Sequence, residues 1–277
     1  MKDSRGLPRV YTRFLLSEKT VVVTGGTGIL GRLYCKQLAA AGAQVIIADL
    51  DSSKCDRLAE EIVKETGGRA IGISVDLSNE DSVRNWAKMV LNKCEGVDVL
   101  VNNAATKSPN FFAPLEDFPL SDWNTVVDVN ITGMFLAIRE LGPSMVRRGK
   151  GSIINVSSIY GVVGPDQRIY EGSWYEEMGG QINTPLVYSV TKGAVVAMTR
   201  YLATLWGSKG VRTNTLTPGG VSSGQNGLFQ ENYSARVPLG RMAEAEEMVG
   251  ALIFLASDAS SYVNGQNIIV DGGLTAW

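Results

Sequence analysis

Short, largely apolar runs recur along the chain, and the stretches between them carry their hydrophobic positions at helical spacing. Val21–Val23, Val45–Ala48, Ala70–Val75, Val97–Val101, Ser152–Val156, Val211–Leu216 and Ile268–Val270 read as strands. Val211–Leu216 apart, they are largely apolar rather than alternating, as expected of strands covered on both faces. Helices are predicted from the glycine turn after Val23 to about Ala41, over 52–66, 79–94 and 121–148, from the region of Tyr188 to about Gly207, and over 244–256. Strand and helix therefore alternate in βαβα order, which predicts one α/β fold: a doubly wound parallel sheet with helices on both faces. No composition shift marks a linker, so residues 17–277 are expected to form one domain, with residues 1–16 as an extension outside the core. Residues 222–242 read as a mobile loop with short helical pieces.

Composition narrows the chemistry. Apolar residues make up 44% of the 277, enough for a sizeable core. Lys plus Arg (26) nearly balances Asp plus Glu (28), leaving a net charge of −2 and no electrostatic footprint for nucleic acid or an anionic membrane. The chain has no histidine, which excludes a Ser-His-Asp hydrolase, a His-ligated metal and imidazole acid–base chemistry. Cys35, Cys55 and Cys94 are scattered, with no C-x-x-C spacing, and are expected to be reduced packing residues; no metal site is predicted. Met1 to Phe14 is charged and lacks the apolar stretch of a signal peptide, and no apolar run reaches membrane-spanning length. The expectation is a soluble, cytoplasmic protein.

Three stretches carry chemistry. Thr24-Gly-Gly-Thr-Gly-Ile-Leu-Gly31 joins a strand to a helix. In that context glycines let the backbone approach a pyrophosphate, and the helix N-terminus supplies N–H donors and positive potential. Asp49 ends the second strand, 18 residues past Gly31. A carboxylate there accepts hydrogen bonds from an adenosine ribose and repels a 2′-phosphate, which points to NAD; Arg32 is the nearby basic residue that opposes this reading. Tyr188 and Lys192 stand four apart, on one face of a helix, downstream of Asn155-Val-Ser-Ser158. A lysine beside a tyrosine favours the phenolate, and such a tyrosine can pass protons near neutral pH. Taken singly, each has a bland alternative: a tight turn, a surface aspartate, an amphipathic helix with a solvated lysine.

Together with Asp76-Leu77, Asn102-Asn-Ala, Val129-Asn130, Ser157-Ser158, Pro218-Gly219 and Asp271-Gly-Gly, in that order, these stretches make the chain resemble the short-chain dehydrogenase/reductase family from about residue 17 onward. The resemblance implies a Rossmann-like sheet and a catalytic set of Asn130, Ser158, Tyr188 and Lys192. It implies an NAD site built from Gly25, Thr27, Gly28, Leu30, Gly31 and Asp49, with Asp76 and Leu77 beside the adenine and Asn103, Ala104 and Ala105 along the channel. Pro218, Gly219, Val221 and Ser223 would border the nicotinamide, while Tyr188 and Lys192 also touch the cofactor. In these roles Tyr188 exchanges a proton with the substrate oxygen, Ser158 holds that oxygen, Lys192 lowers the tyrosine pKa and binds the nicotinamide ribose, and Asn130 holds a water linking Lys192 to solvent. The implied partners are a small molecule and further copies of the chain, as a tetramer or dimer.

Two departures stand out. Ile29 fills the slot of the middle glycine in the classical T-G-x-x-x-G-x-G pattern, and Gly28 comes one place early, closer to the extended branch that includes nucleotide-sugar epimerases and dehydratases. Ser158 and Tyr188 also stand 30 residues apart, much farther than is usual, so about 160–185 reads as an insertion at the active-site rim. Its Tyr160, Tyr170, Trp174 and Tyr175 interleave with Asp166, Glu171, Glu176, Glu177, Gln181 and Asn183, a mixture suited to a sugar or polyol or, alternatively, to a subunit contact. The expected activity is hydride transfer between NAD(P) and a secondary alcohol or ketone. An epimerase or dehydratase that retains NAD, and a non-catalytic NAD-binding sensor or scaffold, are the rival readings.

Overall fold

The computed structural model describes residues 8–175 and 180–277. A single helical turn, α1 (Arg9–Thr12), precedes β1 (Thr20–Thr24), α2 (Ile29–Ala40), β2 (Gln44–Ala48), α3 (Ser52–Thr66), β3 (Arg69–Gly72), α4 (Glu80–Lys93) and β4 (Val99–Asn102). There follow α5 (Leu120–Val127), α6 (Met134–Arg148), β5 (Gly151–Val156), β6 (Trp174–Tyr175), β7 (Gly180–Gln181), α7 (Leu186–Trp206), β8 (Val211–Pro218), α8 (Gly227–Ser234), α9 (Val249–Ala256) and β9 (Asn267–Val270). Seven strands form one sheet in the order β3-β2-β1-β4-β5-β8-β9, every neighbouring pair parallel, while β6 and β7 make a small antiparallel pair of their own. This is the expected Rossmann-like, doubly wound arrangement. Its order reverses beside β1, where a crevice opens at the carboxyl ends of β1 and β4.

The apolar runs form central strands because both faces are covered. Val21, Val23, Val45 and Ile47 point into a core with Tyr34 and Leu38 of α2, Leu58 and Ile62 of α3, and Leu252 and Leu255 of α9. Val22, Ile46 and Leu100 point the other way, against Trp86 of α4, Leu141 of α6 and Leu202 of α7. The polar helices end where the sequence supplies caps. Asp51 and Asn79 accept from the first turns of α3 and α4, and α3 stops at Gly67, whose φ of 67° suits glycine.

The structure differs from the pattern-based expectations in four places. Leu16 is fully buried in the first core, so the extension ends before it. The third strand is shorter than Ala70–Val75, although Ile73 and Val75 still donate to Ile47 and Asp49 and prolong the pairing. The stretch 121–148 is two α-helices joined by a π-helical turn, Asp128–Gly133, which contains Asn130. Finally, 244–256 opens with a 3-10 turn, Ala245–Met248, before α9; the short helical piece expected within 222–242 is α8, in which Asn226 accepts from Phe229 N at 2.9 Å.

Candidate active site

The carboxyl ends of β1, β2, β4, β5 and β8 open into one cleft of about 920 Å³. It is lined by Gly25, Thr27, Gly28, Leu30, Gly31, Asp49, Asp76, Leu77, Asn103, Ala104 and Ala105 at one end and middle, and by Ser158, Tyr188, Lys192, Pro218, Gly219, Val221 and Ser223 toward the other. Of the residues assigned to the catalytic set or the cofactor site, Asn130 alone stands behind the wall, buried between its neighbours.

The glycine turn is built by close approach. Gly25 has φ 62°, and a Cβ on it would lie 2.7 Å from Ala104 Cα. A Cβ on Gly31 would lie 1.9 Å from Gly25 O, so the start of α2 can lie over the turn only without a side chain there. Ile29 is 69% exposed and faces the cleft, which explains why its slot needs no glycine. No side chain caps the first turn of α2, leaving its N–H groups to an anion, an arrangement that fits a dinucleotide pyrophosphate. Asp49 Oδ2 accepts from Thr27 N (2.9 Å) and Thr27 Oγ1 (2.7 Å), and Oδ1 accepts from Leu50 N (2.8 Å). The carboxylate thus braces the turn as well as lining the cleft. Asn103 braces it from β4, its Nδ2 donating to Thr24 O and Gly25 O, both at 3.1 Å. Arg32 is ion-paired with Glu61, while Lys54 and Arg57 of α3 also line this end.

At the other end, α7 presents Tyr188 and Lys192 on one face, with the Lys192 ammonium 5.8 Å from the Tyr188 ring centroid. Lys192 is buried, and its Nζ donates to Val156 O at 3.0 Å; burial holds its pKa down to about 8. Burial pushes the Tyr188 phenol up, opposed by its hydrogen bond with the Ser158 side chain. In this geometry desolvation, rather than the Lys192 ammonium, has the largest effect on the phenol. Both groups are desolvated, and the ammonium is spent on a backbone carbonyl. Ser157, which precedes Ser158 in its motif, donates from Oγ to Lys192 O at 2.7 Å. Gly161 lets the turn after Ser158 lie flat on α7, since a Cβ there would be 2.5 Å from Lys192 C.

Asn130 ties three elements together. Its Oδ1 accepts from Thr106 N at 2.9 Å, and its Nδ2 donates to Thr191 Oγ1 at 3.4 Å. Val129 and Ser157, part of the motifs but given no role there, join the lining, as does Thr106, which carried no sequence signal. In the segment before α7, two of the polar residues read as ligands for a sugar, Asp166 and Asn183, are engaged by the protein itself, beside Gln167, while Glu171 is exposed. Asp166 is ion-paired with Arg168 and Arg236, Gln167 bonds both N and O of Thr184, and Asn183 Nδ2 donates to Phe112 O. Trp174 is 64% exposed; Glu176 and Glu177 lie outside the described residues.

Among the described residues no helix is long and apolar enough to cross a membrane, and no cluster of His, Cys, Asp or Glu could hold a metal ion. The family model described as Enoyl-(Acyl carrier protein) reductase matches residues 25–275. A 3-oxoacyl-(acyl-carrier-protein) reductase of Aquifex aeolicus is 32% identical over 263 residues, covering 94% of this chain and 98% of that protein. A 2,5-dichloro-2,5-cyclohexadiene-1,4-diol dehydrogenase of Sphingobium indicum is 35% identical over 269 residues, with the same coverage of 94% and 98%. The crystal structure of a gluconate 5-dehydrogenase from Burkholderia cenocepacia in complex with NADP and tartrate superposes with a TM-score of 0.85 at 31% identity, covering 96% of this chain and 98% of that one. With the sheet order, the cleft at its carboxyl edge and relatives matched over nearly their whole length, the chain belongs to the classical branch of the short-chain dehydrogenase/reductase family of oxidoreductases.

Proposed function

We propose that the protein is an NAD-dependent dehydrogenase acting on a secondary alcohol, or the corresponding ketone, of a polar, polyhydroxylated small molecule, with Tyr188 as general acid and base. The observation that carries this reading is the meeting of Ser158, Tyr188 and Lys192 at one end of a cleft whose other end is the glycine turn braced by Asp49. When bound there, the nicotinamide ring supplies or takes up the hydride. Tyr188 Oη takes the proton of the alcohol in oxidation and returns it in reduction. Ser158, hydrogen-bonded to that phenol, holds the same substrate oxygen and stabilises its developing charge. Lys192, anchored on Val156 O, sets a positive potential beside the phenol and reaches the nicotinamide ribose. Asn130 keeps the wall behind Lys192 in place and holds the water through which protons reach solvent.

NAD is favoured by Asp49 at the end of β2 and by the pairing of Arg32 with Glu61, which occupies the nearest guanidinium. Lys54 and Arg57 are the cations that weigh against it. The polyhydroxylated substrate class is supported by the relatives named for a cyclic diol and for gluconate. In this reading residues 17–277 act as one cytoplasmic domain. Leu186, Val190, Tyr201 and Leu205, all exposed along α7, face a second copy in a homo-oligomer, countable by light scattering.

A panel of sugars, polyols, aldonic acids and cyclic diols, assayed with free NAD and with NADP, tests the proposal. Turnover of at least one polyhydroxylated alcohol is expected, with kcat/KM for NAD ahead by about tenfold or more, equivalent to about 1.4 kcal/mol. Exclusive turnover of acyl-thioester ketones would refute the substrate class, and an NADP preference would refute the role given to Asp49.

A further inference from the structure

The chain between Ser158 and Tyr188 packs against α8 rather than against the sheet. Ile159, Ile169 and Tyr170 join Phe229, Tyr233 and Val237 in a buried cluster separate from the two that cover the sheet. The Tyr170 ring stacks on Phe229 at 5.3 Å, and Phe229 meets Tyr233 at 5.9 Å. Polar ties close the margin: Arg236 pairs with Asp166, and Asn232 Nδ2 donates to Ile169 O at 3.3 Å. One side of this cluster reaches the head of α7, where the Tyr170 hydroxyl bonds Thr184 Oγ1 at 2.6 Å. The other side reaches the cleft. Tyr233 Oη accepts from Gly220 N, and its ring lies so close that a Cβ on Gly220 would be 2.5 Å from Cζ.

We propose that Tyr233 is a positioning residue, seated on α8 by the 159–175 segment, whose phenol sets the main chain of 218–221 at the nicotinamide end of the cleft. The proposal rests on reading that stretch as the nicotinamide border. A part-buried backbone N–H requires an acceptor, and Gly220 finds its acceptor on α8 rather than in the sheet. On either side the loop is pinned by ordinary backbone bonds, Gly219 N to Val270 O at 2.8 Å and Ala243 N to Gly220 O at 2.9 Å. The orientation of the Gly220 peptide, set between those pins, therefore depends on α8 being docked. The docking of α8 in turn depends on Asp166 and Tyr170. The 159–175 segment thus acts as a bed for α8, and through Tyr233 it reaches the main chain of 218–221.

Binding of NADH and of ADP-ribose, which lacks the nicotinamide ring, separates this role from general stabilisation. Tyr233→Phe keeps the ring and its packing on Phe229 and removes only the acceptor. It is expected to weaken NADH by about threefold to tenfold, the worth of one hydrogen bond, and to leave ADP-ribose within about twofold. Arg236→Gln, which loosens α8 from its bed, should shift the same ratio in the same direction by a smaller factor. Equal shifts for both ligands, or none, with Tyr233→Phe would overturn the positioning role. A selective loss with Tyr233→Phe but an unmoved ratio with Arg236→Gln would overturn the part assigned to the bed. If the unmutated protein binds neither ligand, the nicotinamide reading itself fails, and the proposal with it.

Discussion

Tyr188 and Lys192 are shifted in opposite directions by one cause. Burial raises the phenol and lowers the ammonium to about 8, each toward its uncharged form, as removal from water requires. Tyr188→Phe removes the proton carrier and little of the cleft wall. It is expected to reduce kcat roughly 10²–10⁴-fold while the dissociation constant for NADH stays unchanged. Wild-type kcat in that variant would sink the mechanism. The spacing of Tyr188 and Lys192 is readable in the sequence because a helix puts residues four apart on one face. Their partners are not. Val156 O and Ser157 Oγ reach Lys192 only because β5 lies beside α7 in space. Asp49 shows the same division. Its place at a strand end is legible, but its two bonds to Thr27 depend on how closely β2 and the glycine turn are packed.

Asn130 gains its meaning at the level of the element. Apolar spacing over 121–148 suggests an unbroken helix, because a π-helical turn adds a residue without disturbing the amphipathic pattern enough to be seen. The widened turn, Asp128–Gly133, passes close to the loop after β3, where a Cβ on Gly133 would meet Leu77 O at 2.7 Å. It also places the Asn130 side chain between Thr106 N and Thr191 Oγ1. Asn130→Ala leaves the Thr106 N–H without its acceptor in a part-buried site, and a loss of about 1–3 kcal/mol is expected from urea unfolding. An unchanged midpoint and slope would mean that the tie contributes nothing to holding the helices. The interval between Ser158 and Tyr188 teaches a related lesson. Its unusual length is plain in the sequence, but Tyr160 and Tyr170 turn toward α8, which lies more than fifty residues downstream of both.

Across the whole molecule, buried acids of high pKa set the response to alkali. Burial raises Tyr34, Tyr160 and Tyr188, takes Tyr233 from 10.0 to about 12, raises Cys35, and takes Cys55 from 9.0 to about 11. A group whose folded pKa lies above its unfolded value contributes stability that is fully present below the unfolded value and is lost as pH rises through the folded one. These groups therefore withdraw stability from about pH 9 upward, through the window that closes near 11 for Cys55 and 12 for Tyr233. Lys192 has the opposite sign. Its folded pKa of about 8 lies below 10.5, so the cost of its buried charge, constant below 8, is relieved between 8 and 10.5. Lys107, also lowered by burial, has the same sign, and Cys94 is raised like the other thiols, so two lysines are outweighed by four phenols and three thiols. The urea midpoint is expected to rise slightly between pH 8 and 9 and to fall steadily from 10 to 12. A midpoint still rising at pH 11 would contradict the burial of these groups.

By itself the sequence determined the alternation of apolar strands and helices, the glycine turn, Asp49 at a strand end, the Tyr188–Lys192 spacing and the family they resemble. All of these rest on periodicity or on short intervals, and a linear chain displays both. Tertiary structure alone decided that Leu16 enters the core, that Ile29 can replace a glycine because its side chain faces the cleft, and that Asn130 sits in a π-helical turn. It also decided that the segment before α7 supports α8 and that Tyr233 meets Gly220. Such contacts join residues distant in the chain. They follow from which surfaces the packed sheet brings together, and no local pattern carries that information.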